Sequence, residues 1–344
     1  MTTKKCRIYA AFGVSQTPKN IYGEKEKRNM RKETFYFLSK DGKTKIHAVK
    51  WIPDSGEYGA VLQITHGMIE FVERYQDFAS YLTGHGFLVV GHDHLGHGAS
   101  VASRADWGYF APKNPSDILI EDMHTLRTMI QKDNPDVPYF MLGHSMGSYM
   151  LRKYLAFHND HLAGAIIMGT GYMPQAVTRA GLILAKLTGA LRGSHYRSRM
   201  LENLTFGAPY KRYDLTGKDT ANSWLTKDAK IVKWYYSEPS CTFRFTANGY
   251  QGLTEAVLFS CNPKNIDTYN KELPVFLVAG ADDPVGNMGE GVKIVCEMFQ
   301  KAGIRDVSCK LYADDRHEIL NETDKETVYK DILDWMEERK ESHK

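Results

Sequence analysis

The 344-residue chain predicts an α/β fold: a mostly parallel central sheet, helices on both faces, and a helical insertion between two late strands. Three observations carry that expectation. Short apolar runs rich in Val, Ile, Leu and Phe alternate with stretches whose apolar residues recur every three or four positions, the pattern of buried strands separated by amphipathic helices. The alternation lapses over residues 172–262 and then resumes. Hydrophobic residues at 42% and charged residues at 25% are ordinary for a folded protein, which argues against disorder and collagen-like structure.

Taken in order, Thr34–Leu38 and Ile46–Trp51 flank Asp41-Gly42 and read as a hairpin. Ala60–Ile64 is a short buried strand, and Phe71, Tyr75, Phe78, Ala79 and Leu82 mark a helix. Phe87–Val90 is the next strand. Ser116 is placed to cap a helix bearing Leu119, Met123, Leu126 and Ile130 on one face. Tyr139–Leu142 predicts a strand, 146–158 a helix and Ala163–Met168 a strand. After the insertion come a strand at Val275–Val278, a helix over 288–302, a strand at Val307–Leu311 and a final helix with Val328, Ile332 and Trp335. The domain reading is a basic extension over 1–30, a core of 31–171 plus 263–344, and a helical cap over 172–262. An insertion of this kind is expected over the carboxyl end of the sheet, where such folds bind ligands.

Charge is uneven. Residues 1–32 carry a net +7, the remainder −4, for a total of +3. That sum is too small to point to nucleic acid, and no apolar run approaches the roughly 18 residues that cross a bilayer. The basic head lacks the apolar stretch of a signal peptide. Lys25-Glu26 can be encoded by a bacterial ribosome-binding sequence, so residues 1–29 are expected to be translated leader ahead of a start near Met30. The five cysteines, Cys6, Cys241, Cys261, Cys296 and Cys309, contain no CxxC pair. They suit free thiols in a reducing cytoplasm.

Gly143-His144-Ser145-Met146-Gly147 is a G-x-S-x-G motif. Three fixed positions are weak by themselves; the context gives them weight, because a strand runs in and a helix runs out, as a nucleophile elbow requires. Ser145 would be presented at the positive end of the following helix. A serine hydroxyl needs a base, itself oriented by an acid, and the chain order in this fold class is serine, acid, histidine. Asp282-Asp283 closes one later strand and His317 follows the last. The interval between them holds one helix and one strand, so both groups emerge at the same sheet edge as Ser145. An oxyanion hole is also needed. Its expected donors are the backbone N–H of Met146, after the nucleophile, and that of Met68, in the loop His66-Gly67-Met68-Ile69-Glu70.

These motifs, with Arg74-Tyr75, Asp93-His94-Leu95-Gly96-His97-Gly98-Ala99-Ser100, Gly280–Val285 and Arg316-His317-Glu318, resemble the α/β-hydrolases of the monoacylglycerol lipase and lysophospholipase group. That group is also called serine aminopeptidase-like. The resemblance covers about residues 31–340, and Asn222–Asp228 in the cap resembles bacterial members. It implies Ser145 as nucleophile, Asp283 rather than Asp282 as acid, His317 as base, and Met68 and Met146 as oxyanion donors. The motifs do not specify the substrate; the expected reaction is cleavage of carboxylic esters through an acyl-enzyme, with monoacylglycerols or lysophospholipid-like lipids as substrates and no cofactor. Several relatives carry glycine where Ile69 stands, a departure expected to narrow the acyl entrance.

Three rival readings compete with this one. His92, His94 and His97 have the H-x-H-x-x-H spacing of a zinc site, but Gly96 stands where such sites place an aspartate. The expectation is that Asp93 and the histidines brace the nucleophile by hydrogen bonds. An amide- or peptide-cleaving enzyme would use the same triad, and a ligand-binding protein of this fold would ordinarily lack a triad member. Around Pro174–Arg192, Val177, Ala180, Leu184, Leu187 and Leu191 form a stripe beside Arg179, Lys186 and Arg192. The stripe is expected to pack on the core or line an acyl pocket, with transient contact with a membrane surface as the alternative.

Overall fold

The computed structural model describes residues 30–341, so the basic head and its expected leader lie outside the described residues. Eight strands form one sheet: β1 (Met30–Leu38), β2 (Lys45–Pro53), β3 (Ala60–Thr65), β4 (Phe87–His92), β5 (Tyr139–His144), β6 (Gly164–Met168), β7 (Val275–Gly280) and β8 (Val307–Tyr312). Their spatial order is β1-β2-β4-β3-β5-β6-β7-β8. β1 pairs with β2 and β2 with β4 antiparallel; every later pairing is parallel.

Side chains alternate along each strand, and the alternation divides the interior into two layers. Val61, Tyr139, Met141, Val275 and Leu277 join one core, while Leu62, Ile64, Phe140, Leu142, Phe276 and Val278 join the other. The first layer is covered by α2 (Pro115–Asp133), α3 (Met146–Tyr154) and α9 (Glu290–Lys301), the second by α1 (Gln76–Thr83) and α10 (Lys325–Glu341). Trp335 of α10 lies stacked on Phe276 and edge-on to Phe140. A methyl group on Gly164 would stand 2.6 Å from the Trp335 ring, so this helix seats on β6 only because that residue has no side chain.

Several boundaries differ from expectation: β1 starts at Met30 rather than Thr34, and α9 runs over Glu290–Lys301 rather than 288–302. α2 starts one residue before Ser116, with Asn114 as its N-cap in a left-handed conformation (φ 48°) and Pro115 at the first helical position, where a missing N–H costs nothing. α3 ends at Tyr154 rather than 158.

Between β6 and β7 lie α4 (Gln175–Arg192), α5 (Arg199–Thr205), α6 (Ala229–Ser237), α7 (Ala247–Ser260) and the single turn α8 (Pro263–Ile266). α5 was not read from the sequence. α7 packs on the core as much as on the insertion: Asn248 accepts from the Phe110 N–H at 2.9 Å and donates to the Ala111 carbonyl at 2.7 Å. Buried Arg152 of α3 donates to the Ser260 carbonyl at 2.6 Å. α4 rests on α7 and reaches outward. Its stripe is divided: Val177, Ala180 and Leu184 line a cavity, Val177 while still half-exposed, whereas Leu187 and Leu191 lie outside that cavity's lining and stay exposed, Leu191 at 81%.

Candidate active site

The turn from β5 into α3 is built by two glycines. A methyl group on Gly143 would stand 2.4 Å from the Gly147 carbonyl oxygen, and one on Gly147 only 2.1 Å from that of Thr65. Between them Ser145 sits at φ 53°, ψ −119°, a region that L residues rarely occupy and that persists only where the surroundings impose it. Its N–H donates to the Met168 carbonyl on β6 at 2.9 Å, and its own carbonyl accepts from Ser148 Oγ at 2.6 Å. Met146 opens α3, so its N–H has no acceptor within the helix. Met68, from the β3–α1 loop, lines the same cavity as Met146 and Ser145.

Asp283 follows β7 and is fully buried. Its Oδ2 lies 3.0 Å from His317 Nδ1, while Oδ1 accepts from the Val285 N–H at 2.8 Å. Asp282 turns away: its side chain is 40% exposed and faces Arg212 at 3.8 Å. The structure therefore joins His317 to Asp283 and not to its neighbour. His317 and Ser145 line one cavity, though among the described residues Ser145 Oγ makes no hydrogen bond to the imidazole. Such links often close only around bound substrate.

A buried polar network behind the serine was not read from the sequence. Arg74 is 6% exposed. It donates two hydrogen bonds to Glu318, each at 2.7 Å, and one to Glu70 Oε2 at 2.9 Å. Glu70 Oε1 also receives the Gly67 N–H and the Tyr75 hydroxyl and meets His144 Nδ1 at 3.0 Å. His144 Nε2 in turn faces the His317 carbonyl at 3.2 Å. Burial opposes charge on both groups, but the hydrogen bond and opposite charge of the partner win: the Glu70 carboxyl is held well below the usual range and His144 is raised. The motifs containing Glu70, Arg74, His144 and Glu318 were visible. Their meeting was not, because Arg74 and Glu318 are 244 positions apart.

The insertion supplies a second contact to His317. Trp224 stacks on His317 with ring centroids 5.0 Å apart and planes 28° off parallel. The His317 and Glu318 N–H groups donate to the Trp224 and Leu225 carbonyls, and Arg316 reaches the Ser223 carbonyl at 2.5 Å. The stretch Asn222–Asp228 is thus laced to the loop that carries His317.

The expected bracing by the Asp93 loop is half met. Asp93 accepts from the Val72 and Ala99 N–H groups, both at 2.8 Å, and pairs with His47 at 2.9 Å. The histidines act otherwise. His66, His92, His94 and His97 pack ring against ring at 4.4–6.2 Å. Neither ring nitrogen of His92 or His94 has a hydrogen-bond partner. Burial lowers all four, to about 3 for His92 and His97, so they stay neutral; His66 alone is hydrogen-bonded through both nitrogens, Nδ1 lying 2.8 Å from the Gly67 carbonyl and Nε2 accepting from the His94 N–H at 2.9 Å. Among the described residues, no three His, Cys, Asp or Glu side chains are arranged to hold a metal ion.

Ile69 explains the expected glycine. Its φ is 57°, a conformation in which a β-branched residue is strained and glycine is not. The cavity above Ser145 measures about 870 Å³. Ile69, Tyr149, Leu184, Leu204, Leu253 and Val257 are among its apolar lining.

A sheet of this order with a serine on the strand-to-helix elbow defines an α/β-hydrolase. Residues 56–324 match the family model described as serine aminopeptidase, S33, and the chain belongs to that family. It is 30% identical to the monoglyceride lipase of Mus musculus over 191 residues, 55% of this chain and 54% of that protein. The chain thus spans about half the length of the first curated relatives it matches. It is 24% identical to the monoacylglycerol lipase of Mycolicibacterium smegmatis over 288 residues, covering 83% of this chain and 90% of the other. Among solved structures, a thermostable carboxyl esterase from Bacillus coagulans in complex with glycerol superposes with a TM-score of 0.82 at 28% identity, over 90% of this chain and 99% of that one.

Proposed function

We propose that the protein is a serine hydrolase that cleaves carboxylic esters, with monoacylglycerols or lysophospholipid-like lipids as the substrate class. The observation that carries this reading is the Asp283–His317 hydrogen bond at the rim of a large apolar cavity that also holds Ser145. In the proposed reaction His317 takes the Ser145 proton as Oγ attacks the ester carbonyl. The N–H groups of Met68 and Met146 hold the oxyanion. His317 then protonates the departing alcohol and activates the water that releases the acid, while Asp283 fixes its tautomer and stabilises its cation. No cofactor or metal enters these steps. Residues 31–171 and 263–344 form the hydrolase core in this reading and 172–262 its cap.

An ester is favoured over a peptide because both acidic lining residues, Glu70 and Glu318, are neutralised by Arg74 and His144. Neither is free to hold an α-amino group. The exposed Ile183, Leu187 and Leu191 beside Lys186 and Arg192 support transient contact of α4 with a membrane surface. No helix among the described residues is long and apolar enough to cross a membrane. The four described cysteines are free thiols, which supports a reducing, cytoplasmic setting. A chain-length series of monoacylglycerols and p-nitrophenyl esters, run beside aminoacyl amides, tests the proposal: hydrolysis of the esters is expected, and turnover of the amides alone would overturn it.

A further inference from the structure

Two of the described cysteines, Cys296 and Cys309, lie on facing elements. α9 buries one stripe, Val292, Val295, Cys296 and Phe299, against the sheet, with Cys296 at its rim, 9% exposed. On the edge strand β8, Val307 and Leu311 pack into the core layer that contains Cys296. Alternation places Cys309, midway between them, on that same face, and Cys309 is exposed. α9 packs directly on β8, and each of the two thiols is the strongest influence on the other's hold on its proton.

We infer that Cys296 and Cys309 are a redox-active pair that closes to a disulfide, stapling α9 to the edge strand β8. The oxidant is a hydroperoxide. One thiolate attacks the O–O bond, forming a sulfenic acid and releasing an alcohol, or water from hydrogen peroxide. The second sulfur then displaces the sulfenic oxygen, which leaves as water. Two thiols lose two electrons and two protons, and the hydroperoxide takes up both.

Cys296 is the first nucleophile. A hydrogen bond from the Cys309 thiol favours its thiolate, outweighs burial, and brings it down to about 7, while Cys309 is raised by the same coupling. Lys293 and Glu297 are the charged neighbours, and Lys293 favours charge on Cys309. The staple joins the helix after the Asp283 loop to the strand before the His317 loop, and it does not depend on the proposed activity.

The test treats the full chain with hydrogen peroxide, blocks remaining thiols with iodoacetamide and maps tryptic peptides without reduction. The expected product is Ile294–Lys301 joined to Asp306–Lys310, lighter by two hydrogens than the separate peptides and split by dithiothreitol. The oxidised protein should melt several degrees above the reduced one. Cys309→Ser should lose both the linked peptide and the shift, leaving a sulfenic acid on Cys296 that dimedone captures. Recovery of both cysteines alkylated in the wild type, or linkage of either to a third cysteine, would overturn the inference.

Discussion

Arg74 grips Glu318 with two parallel hydrogen bonds of 2.7 Å, fixing the residue beside His317 to the helical turn that follows the Met68 loop. Both side chains are buried, so the pair has been withdrawn from water and neither charge tolerates loss of the other. Glu318→Gln is expected to lower stability by about 3–5 kcal/mol, because it leaves the guanidinium under-compensated. Arg74→Lys should recover little of the pair, since an ammonium lacks the fork that meets both oxygens. Urea unfolding curves of the three proteins measure this; wild-type midpoints for both variants would contradict it.

Trp224 covers one face of His317. In the proposed reaction the imidazole becomes a cation, which an indole face stabilises by about 1 kcal/mol or more when shielded from water. Trp224→Ala should therefore lower kcat/KM by roughly tenfold, about 1.4 kcal/mol of transition-state stabilisation, with Trp224→Phe in between. Unchanged circular dichroism would separate this from misfolding, and wild-type kinetics for the alanine variant would sink the role.

Ile69 inverts an ordinary ranking. At φ 57° both isoleucine and alanine carry left-handed strain of about 1–2 kcal/mol that glycine escapes. Ile69→Gly should consequently be at least as stable as Ile69→Ala, although glycine costs more backbone entropy elsewhere. It should also admit bulkier acyl groups with a lower KM. Thermal melts decide the first point: an alanine variant clearly more stable than the glycine variant would show that the strain is absent.

The four packed histidines set the acid limit of the fold. With folded values pushed below the ordinary imidazole range, down to about 3 for His92 and His97, the unfolded chain binds more protons between about pH 3 and 6.5. Stability must fall as pH drops through that window. Three carboxyls that burial raises, Asp122 to about 7, Asp315 to about 6, and Glu322, oppose this, because their contribution shrinks as pH rises; the four imidazoles, together with Glu70 and Asp93, both held low, outweigh them. His92→Leu removes two unpartnered nitrogens. It should be neutral or stabilising at pH 7 and should flatten the slope of unfolding free energy against pH by about one proton. A steeper slope would refute the packing role.

How far the sequence was legible follows from the range of each signal. All eight strands and the elbow were readable because alternation and the Gly143–Gly147 motif are local. Chain order places Ser145, the Asp282-Asp283 pair and His317 on one edge, the family resemblance alone chooses Asp283, and the geometry brings His317 to Asp283. What stayed hidden is long-range. Trp224 stands in a stretch, Asn222–Asp228, that the sequence marks only by resemblance, with nothing to pair it with His317, 93 positions on. Arg74 read as part of a helical turn, with nothing to name Glu318 as its partner. The histidine spacing suggested ligands or hydrogen-bond donors, and only burial shows that their rings serve as apolar filling.

The central claim is that Ser145 carries the acyl group. Incubation with a fluorophosphonate followed by peptide mass mapping tests it directly. The account predicts one adduct, on Ser145, blocked by prior incubation with a monoacylglycerol and missing from Ser145→Ala, which should also lose several orders of magnitude in kcat while remaining folded. A native protein that stays unlabelled, or a Ser145→Ala variant that turns over ester like the wild type, would contradict it.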